Sequence, residues 1–354
     1  DKVVDAASSV RLGWPPDPGV TMGPTIVPAS GPLYDALTRL GPGESWLLEP
    51  SSHDASGALW SPGNKTGVRP GSTFPQTEYF GPVLGLMRAA TLDDAISLQN
   101  GVAYGLTGGL HSLDPDEVAY WLDRVQVGNA YVNRHITGAI VRRQPFGGWK
   151  RSSIGPGAKA GGPDYLLQLG TWRDAGGPPA GVGTETVSAV PTEDAYWWRT
   201  HYGIEHDPTG LFCEENTLRY LPRPSVVVRV GEDGSAALAT RTLAAARTAG
   251  VVPRVSAATT DLLPAGVSGV VEDDATFAQR LDAMRFGRVR HVGAAPSVLR
   301  ASAVATEVDV VDEPVVTSGR LEMRWYLREQ AVSRTLHRFG NLIGGAAPHG
   351  HERS

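Results

Sequence analysis

The chain has a single cysteine, Cys213, in 354 residues, so no internal disulfide framework can form and a reducing compartment fits. No apolar run reaches the roughly 20 residues that a membrane-spanning helix needs, and the start carries no charged-then-apolar signal pattern. A cytoplasmic location is therefore the expectation. Cationic excess is missing too: 32 Lys and Arg against 37 Asp and Glu leave a net charge of -5, and no run of Lys and Arg in the sequence overrides it. That balance argues against nucleic acid as a partner. No metal site is expected. An initial Met is also missing, and Asp1 stands inside an amphipathic pattern (Val3, Val4, Ala7, Val10). The expectation is the back part of a longer polypeptide.

What is present is a globular composition, 41% hydrophobic and 19% charged, on a chain long enough for two domains with real cores. Glycine is concentrated in one place. From Gly128 to Pro163, strand-like alternation at Ala130 and Val132 gives way to Gly138, Gly147, Gly148, Gly155, Gly157, Gly161 and Gly162. Such a run cannot be a helix or a central strand, but it can curl backbone N–H groups around a small anion. Ser152 and Ser153 add hydroxyls, and Lys150, Arg151 and Lys159 add positive charge. The chemistry offered is recognition of a carboxylate or phosphate; spacing alone leaves a plain surface connection equally open. Neither a P-loop nor a GxGxxG pattern fits.

Four motifs occur in order: Thr77-Glu78-Tyr79-Phe80-Gly81-Pro82-Val83, Gly128-Asn129-Ala130-Tyr131-Val132-Asn133-Arg134, Gln144-Pro145-Phe146-Gly147-Gly148 and Lys159-Ala160-Gly161-Gly162-Pro163. Together they resemble the end of the catalytic domain of the aldehyde dehydrogenase superfamily, within its 1-pyrroline-5-carboxylate (L-glutamate gamma-semialdehyde) dehydrogenase branch. The resemblance implies an NAD-dependent oxidoreductase of proline metabolism. Glu78 would accept the nicotinamide ribose hydroxyls and Phe80 would pack near the nicotinamide. The loop after Phe146 would be the aldehyde anchor loop, with Ser152 and backbone amides on the substrate carboxylate. Phe146 would form part of the wall, and Arg151 and Ser153 would lie in the same loop. Ser153 stands where the commonest pattern has Gly, and Gly155-Pro156-Gly157-Ala158 lengthens the loop.

The helix, Trp14-Pro15-Pro16 passage and Met22-Gly23-Pro24 turn resemble the segment that comes after the catalytic cysteine in that family. The nucleophile and the general base would then lie upstream of Asp1. Cys213 comes after the anchor loop, beside Glu214 and Glu215. Neither its order nor those carboxylates suit a nucleophile.

The expected architecture is α/β. Residues 1–172 form the C-terminal part of an aldehyde dehydrogenase catalytic domain, 173–195 a Gly/Pro-rich linker, and 196–354 a smaller, degenerate Rossmann-like accessory domain. Helices are expected over Pro32 to Leu40, Leu92 to Gln99 (capped by Thr91), Asp114 to Val125 and Ala236 to Ala249. Strands are expected over Val83 to Met87, Gly105 to His111, Gly128 to Asn133, Ser225 to Val230 and Arg288 to Val292. Leu321, Trp325, Val332 and Leu336 fall near one helical face. His135 reads as a hydrogen-bonded structural histidine, and Tyr196, Trp197, Trp198 and Tyr202 as packing. Gly231 and Gly234 make no dinucleotide fingerprint. The tail, with Asn216 to Tyr220, resembles the C-terminal module of bifunctional proline utilization A proteins, which would bring FAD only with an upstream proline dehydrogenase domain. Expected partners are the semialdehyde, the missing N-terminal part of the same polypeptide and, as an option, further copies of the chain. Such a portion would be inactive alone. A non-catalytic aldehyde-dehydrogenase-like lid or structural module docking on a catalytic partner is the alternative.

Overall fold

The computed structural model describes residues 2–175, 193–338 and 341–342, so the expected linker falls largely outside the described residues. The chain divides into two compact units, residues 1–103 and 104–354.

The first unit carries helices Lys2–Ser8, Gly31–Thr38 and Leu92–Asn100 beside a three-stranded sheet of β1 (Ser45–Leu48), β2 (Gly63–Thr66) and β3 (Val83–Gly85). β1 and β2 are antiparallel; β2 and β3 are parallel. Thr91 caps the third helix, its side chain accepting from Asp94 N–H at 3.1 Å. The Lys65 ammonium is buried, so it needs partners. It sits 3.4 Å from Glu44, donates to the Arg39 carbonyl and lies over the rings of Trp46 and Phe74. β3 is shorter than expected and only partly buried, because β2 flanks one edge alone.

In the second unit, β4 (Tyr104–Gly105) pairs with β7 (Trp149–Lys150), while β5 (Thr107–Leu110) and β6 (Asn129–Val132) lie side by side in parallel. Helix Pro115–Arg124 crosses between β5 and β6, with Asp114 accepting from Asp116 and Glu117 N–H. Every residue of β6 is buried, as a central strand requires. Its other neighbour comes from far away in sequence: β14 (Leu327–Thr335) runs parallel to β6 and antiparallel to β8 (Glu214–Pro222). The order is β5-β6-β14-β8. This corrects the helical reading of the tail. Only Gly319–Met323 is α-helical there, and of the four positions expected on one helical face only Val332 lies in the strand Leu327–Thr335, which is buried on both faces.

Five further strands form a wholly parallel sheet of β9 (Val226–Val230), β10 (Arg254–Ala257), β11 (Val270–Val271), β12 (Arg288–Val292) and β13 (Asp309–Val311), in the order β11-β10-β9-β12-β13. Helix Ala236–Thr248, capped by Ser235, follows β9, and helix Ser297–Thr306 follows β12. This is a doubly wound arrangement, with its switch point between β9 and β12. β9 and β12 are buried at every position, including three arginines. Each is paired: Arg229 with Asp274, Arg288 with Asp309, and Arg290 with Glu322 through two bonds of 2.8 and 2.9 Å. Tyr202 packs edge-on to Tyr220 with ring centres 4.8 Å apart, and Trp197 and Trp198 pack on the same core, while Tyr196 is half exposed.

Candidate functional site

Phe146 and Ala160 exchange two backbone bonds of 2.9 Å, which closes the glycine-rich segment into a loop with a fixed neck. Inside the neck, the buried Asn129 of β6 donates to the Pro145 carbonyl and accepts from Gly147 N–H. The buried Lys159 donates to Asn129 and to the Gly147 carbonyl, and its own N–H goes to Glu329 of β14 at 2.8 Å. Burial drives both charged groups toward neutrality: the Lys159 ammonium is lowered to about 7 and the Glu329 carboxyl raised to about 7.

Residues far along the chain hold the rest of the loop. Trp149 donates its indole N–H to the Glu329 carbonyl at 2.8 Å, and Arg328 lies over its ring at 3.8 Å. Arg288 donates to the Pro156 carbonyl at 2.8 Å, and Arg151 pairs with Glu307. At the loop's tip, Gly155 (φ +57) and Gly157 (φ +87) take left-handed angles that a side chain would resist. The amides of Ile154, Gly155 and Ala158 have no acceptor among the described residues. That leaves donors for an anion.

Of the residues expected here, Phe146, Arg151, Ser152 and Ser153 all belong to this loop. Phe146 is about one-third exposed, at 36%, and Arg151 is exposed. Ser152 Oγ accepts from Gly105 N–H at 3.2 Å, which fixes the side chain and leaves its O–H free to donate. Ser153 is part-buried. Lys159, expected to lend positive charge to an anion, is instead buried in the neck with its ammonium bonded to Asn129 and the Gly147 carbonyl. Asn129 and Glu329 escape sequence reasoning as functional residues; Asn129 stands within a quoted motif, but Glu329 carries no local signal.

Glu78 and Phe80 belong to the first unit. Tyr79, between them, packs on Phe74 with ring centres 5.1 Å apart. Phe80 has φ +48 and is 73% exposed. A strained, exposed aromatic residue marks a recognition surface. Glu78 is exposed beside it.

The switch point of the parallel sheet does not fit the phosphates of a dinucleotide. Two of its amides are bonded to carboxylates of the chain: Ala294 N–H to Asp233 at 2.9 Å and Ala295 N–H to Asp312 at 3.0 Å. A Cβ on Gly293 would sit 2.2 Å from Asp233 Oδ1, so backbone and carboxylate are packed tightly. The absent fingerprint thus has a structural counterpart.

Cys213 is a free, exposed thiol near the start of β8, and its carbonyl accepts from Leu336 N–H. His135 is exposed, with no hydrogen bond among the described residues, so the expectation of a hydrogen-bonded structural histidine is not met; the chain leaves the sheet at Asn133 (φ +57) and carries the ring outward. The described residues hold no cluster of three metal-ligating side chains, and no helix among them is long and apolar enough to cross a membrane.

Comparison with known proteins agrees with the motifs. Residues 1–172 match the aldehyde dehydrogenase family. The chain is similar to the 1-pyrroline-5-carboxylate dehydrogenases of Bacillus licheniformis (36% identical over 166 residues) and Bacillus subtilis (37% over 168 residues), covering 47% of this chain in each case. It spans about a third, 32%, of the length of those relatives. Among solved structures it is similar to Proline Utilization A from Corynebacterium freiburgense, at 42% identity and a TM-score of 0.82, over 97% of this chain and 34% of that one. The likeness therefore extends beyond residue 172, through the sheets of the second unit. Residues 1–172 are thus similar to the aldehyde dehydrogenase family and, within it, to 1-pyrroline-5-carboxylate dehydrogenases.

Proposed function

We propose that this chain is the C-terminal portion of an NAD+-dependent L-glutamate gamma-semialdehyde dehydrogenase, which oxidises the semialdehyde to glutamate in proline catabolism. The observation that carries this reading is the braced loop 147–159, whose tip presents the amides of Ile154, Gly155 and Ala158 without internal acceptors. Those amides and the Ser152 hydroxyl hold the substrate's carboxylate, and Arg151 and Ser153 add charge and a second hydroxyl beside it. Phe146 lines the aldehyde chain. Glu78 accepts the ribose hydroxyls and Phe80 packs on the nicotinamide. NAD+, when bound, supplies the hydride acceptor.

We assign residues 1–172 to the catalytic domain and 196–354 to an accessory domain, with 173–195 joining them. Neither the nucleophile nor the general base is among these residues, and Cys213 stays outside the chemistry. The isolated chain therefore produces no NADH from the semialdehyde.

A chimera tests the assignment. Residues 1–172 replace the matching segment of the Bacillus subtilis relative, and NADH formation is followed with glutamate semialdehyde. An active chimera is expected, with Ser152→Ala raising KM for the semialdehyde and Glu78→Ala raising KM for NAD+. A folded chimera that oxidises short uncharged aldehydes but not the semialdehyde overturns the substrate assignment. A chimera that folds and oxidises neither favours a non-catalytic module.

A further inference from the structure

A cavity of about 520 Å³ opens on one side of the loop, between Gly148–Gly157 and the N-terminal ends of β9, β12 and β13. Its wall is cationic. Lys150, Arg151, Arg223, Arg285, Arg288 and Arg328 all line it, against the carboxylates of Glu307 and Asp309. Glu307 is shared by Arg151 and Arg285, and Asp309 is taken by Arg288. Arg223 and Arg328 have no carboxylate partner within 4 Å among the described residues. Among the described residues, Arg223 reaches only the carbonyls of Leu327 and Pro156, and the buried Nε of Arg328 has no hydrogen-bond partner. Burial lowers Arg328 to about 10, and Arg223 well below its ordinary value; Arg288 and Arg328 push Arg223 further down, and Asp309 opposes them.

Backbone strain gathers at the same place. Six non-glycine residues have left-handed φ among the described residues, and three of them, Lys150, Phe286 and Glu307, line this cavity. Such strain persists where the surroundings impose it, and it concentrates at ligand sites.

We propose that the cavity binds a small phosphate-bearing anion, clamped between Arg223, Arg288 and Arg328. Guanidinium groups bind phosphate oxygens in pairs, and a compact ligand with several negative charges balances a wall of six cations and two carboxylates better than a monocarboxylate would. The wall includes Trp149 and Gly157 of the substrate loop, so occupation stiffens that loop from behind. This site adjoins the proposed carboxylate site: Arg151, Ser153 and Gly155 line it, whereas Phe146 and Ser152 do not.

Calorimetric titration of the full chain with pyrophosphate at low salt tests the proposal. Saturable one-to-one binding is expected, weakening as salt rises and weakening about tenfold or more in Arg328→Gln. Because Arg328 stacks on Trp149, Arg285→Gln at the exposed rim is the second variant. It should weaken binding less while leaving the thermal midpoint unchanged. Arg328→Lys should recover part of the affinity. Absence of saturable binding, or equal binding by wild type and both glutamine variants, overturns the proposal. Tighter binding of citrate than of pyrophosphate overturns the phosphate assignment. Competition by L-glutamate at equal affinity makes the cavity part of the substrate's own carboxylate site and overturns the phosphate assignment. None of these readouts depends on dehydrogenase activity, so the chimera above can fail without affecting them.

Discussion

Two glycine-bearing turns in the second unit meet the same physical problem in opposite ways. One follows parallel strands and the other is closed by the antiparallel bridge between Phe146 and Ala160, and each has backbone amides to satisfy. At the switch point after β9 and β12, carboxylates of the chain, Asp233 and Asp312, take the amides of Ala294 and Ala295. In the loop after Phe146, the carboxylate that could have done so, Glu329, is instead spent on the neck, on Lys159 N–H, and the tip amides stay open. A doubly wound sheet is thus no evidence of a dinucleotide site. What matters is whether the donors at its crevice are free.

The largest test of this contrast is Glu329→Ala. It leaves the Lys159 amide without an acceptor and its ammonium without a nearby negative charge, at a cost of about 3 kcal/mol. A lowered thermal midpoint should come with raised hydrogen exchange over residues 147–160 rather than at Ala294. Uniform loss across the sheet would deny the neck its special role. Asp233→Ala should cost about 1–2 kcal/mol, because it frees the Ala294 amide. Added phosphate should stabilise this variant through the switch point, an effect read as the difference from wild type. No such difference would mean that the carboxylate is not what closes this crevice.

The third test is pH dependence. Glu329 binds its proton more tightly folded than unfolded, so its contribution falls as pH rises from about 4.5 to 7. Lys159 is lowered, so the folded chain gives up its proton first and the contribution rises again between about 7 and 10.5. Glu329→Gln should remove the falling limb, a slope of up to about 1 kcal/mol per pH unit, in denaturant titrations across that range. An unchanged slope would show that Glu329 ionises normally in the fold. Smallest is Gly155→Ala, where a Cβ would meet open space and only the left-handed angle is costly, about 1 kcal/mol or less. A much larger loss of stability would mean that the tip is packed rather than open.

Much of the scaffold was legible in the sequence because its signals are local. β12 falls on Arg288–Val292 as expected, and the caps at Thr91, Asp114 and Ser235 mark their helices. The loop itself was visible from glycine spacing and family motifs. What joins the loop to the rest of the unit was not. β14 escapes a strand reading because its burial on both sides removes the alternation that marks a strand. Arg223, Arg288 and Arg328 are spread along the chain and form no run, so a net charge of -5 conceals the cationic cavity that they build. Asp233 and Ala294 are 61 residues apart, and only folding brings them together.

Residue-resolved amide exchange on the full chain tests the central claim most directly. Ile154, Gly155 and Ala158 should exchange close to unprotected rates, while Lys159, Ala160, Ala294 and Ala295 are slowed by the bonds described. Protection of the three tip amides together with fast exchange at Ala294 and Ala295 would contradict the account, since the open donors would then lie at the switch point and not in the loop.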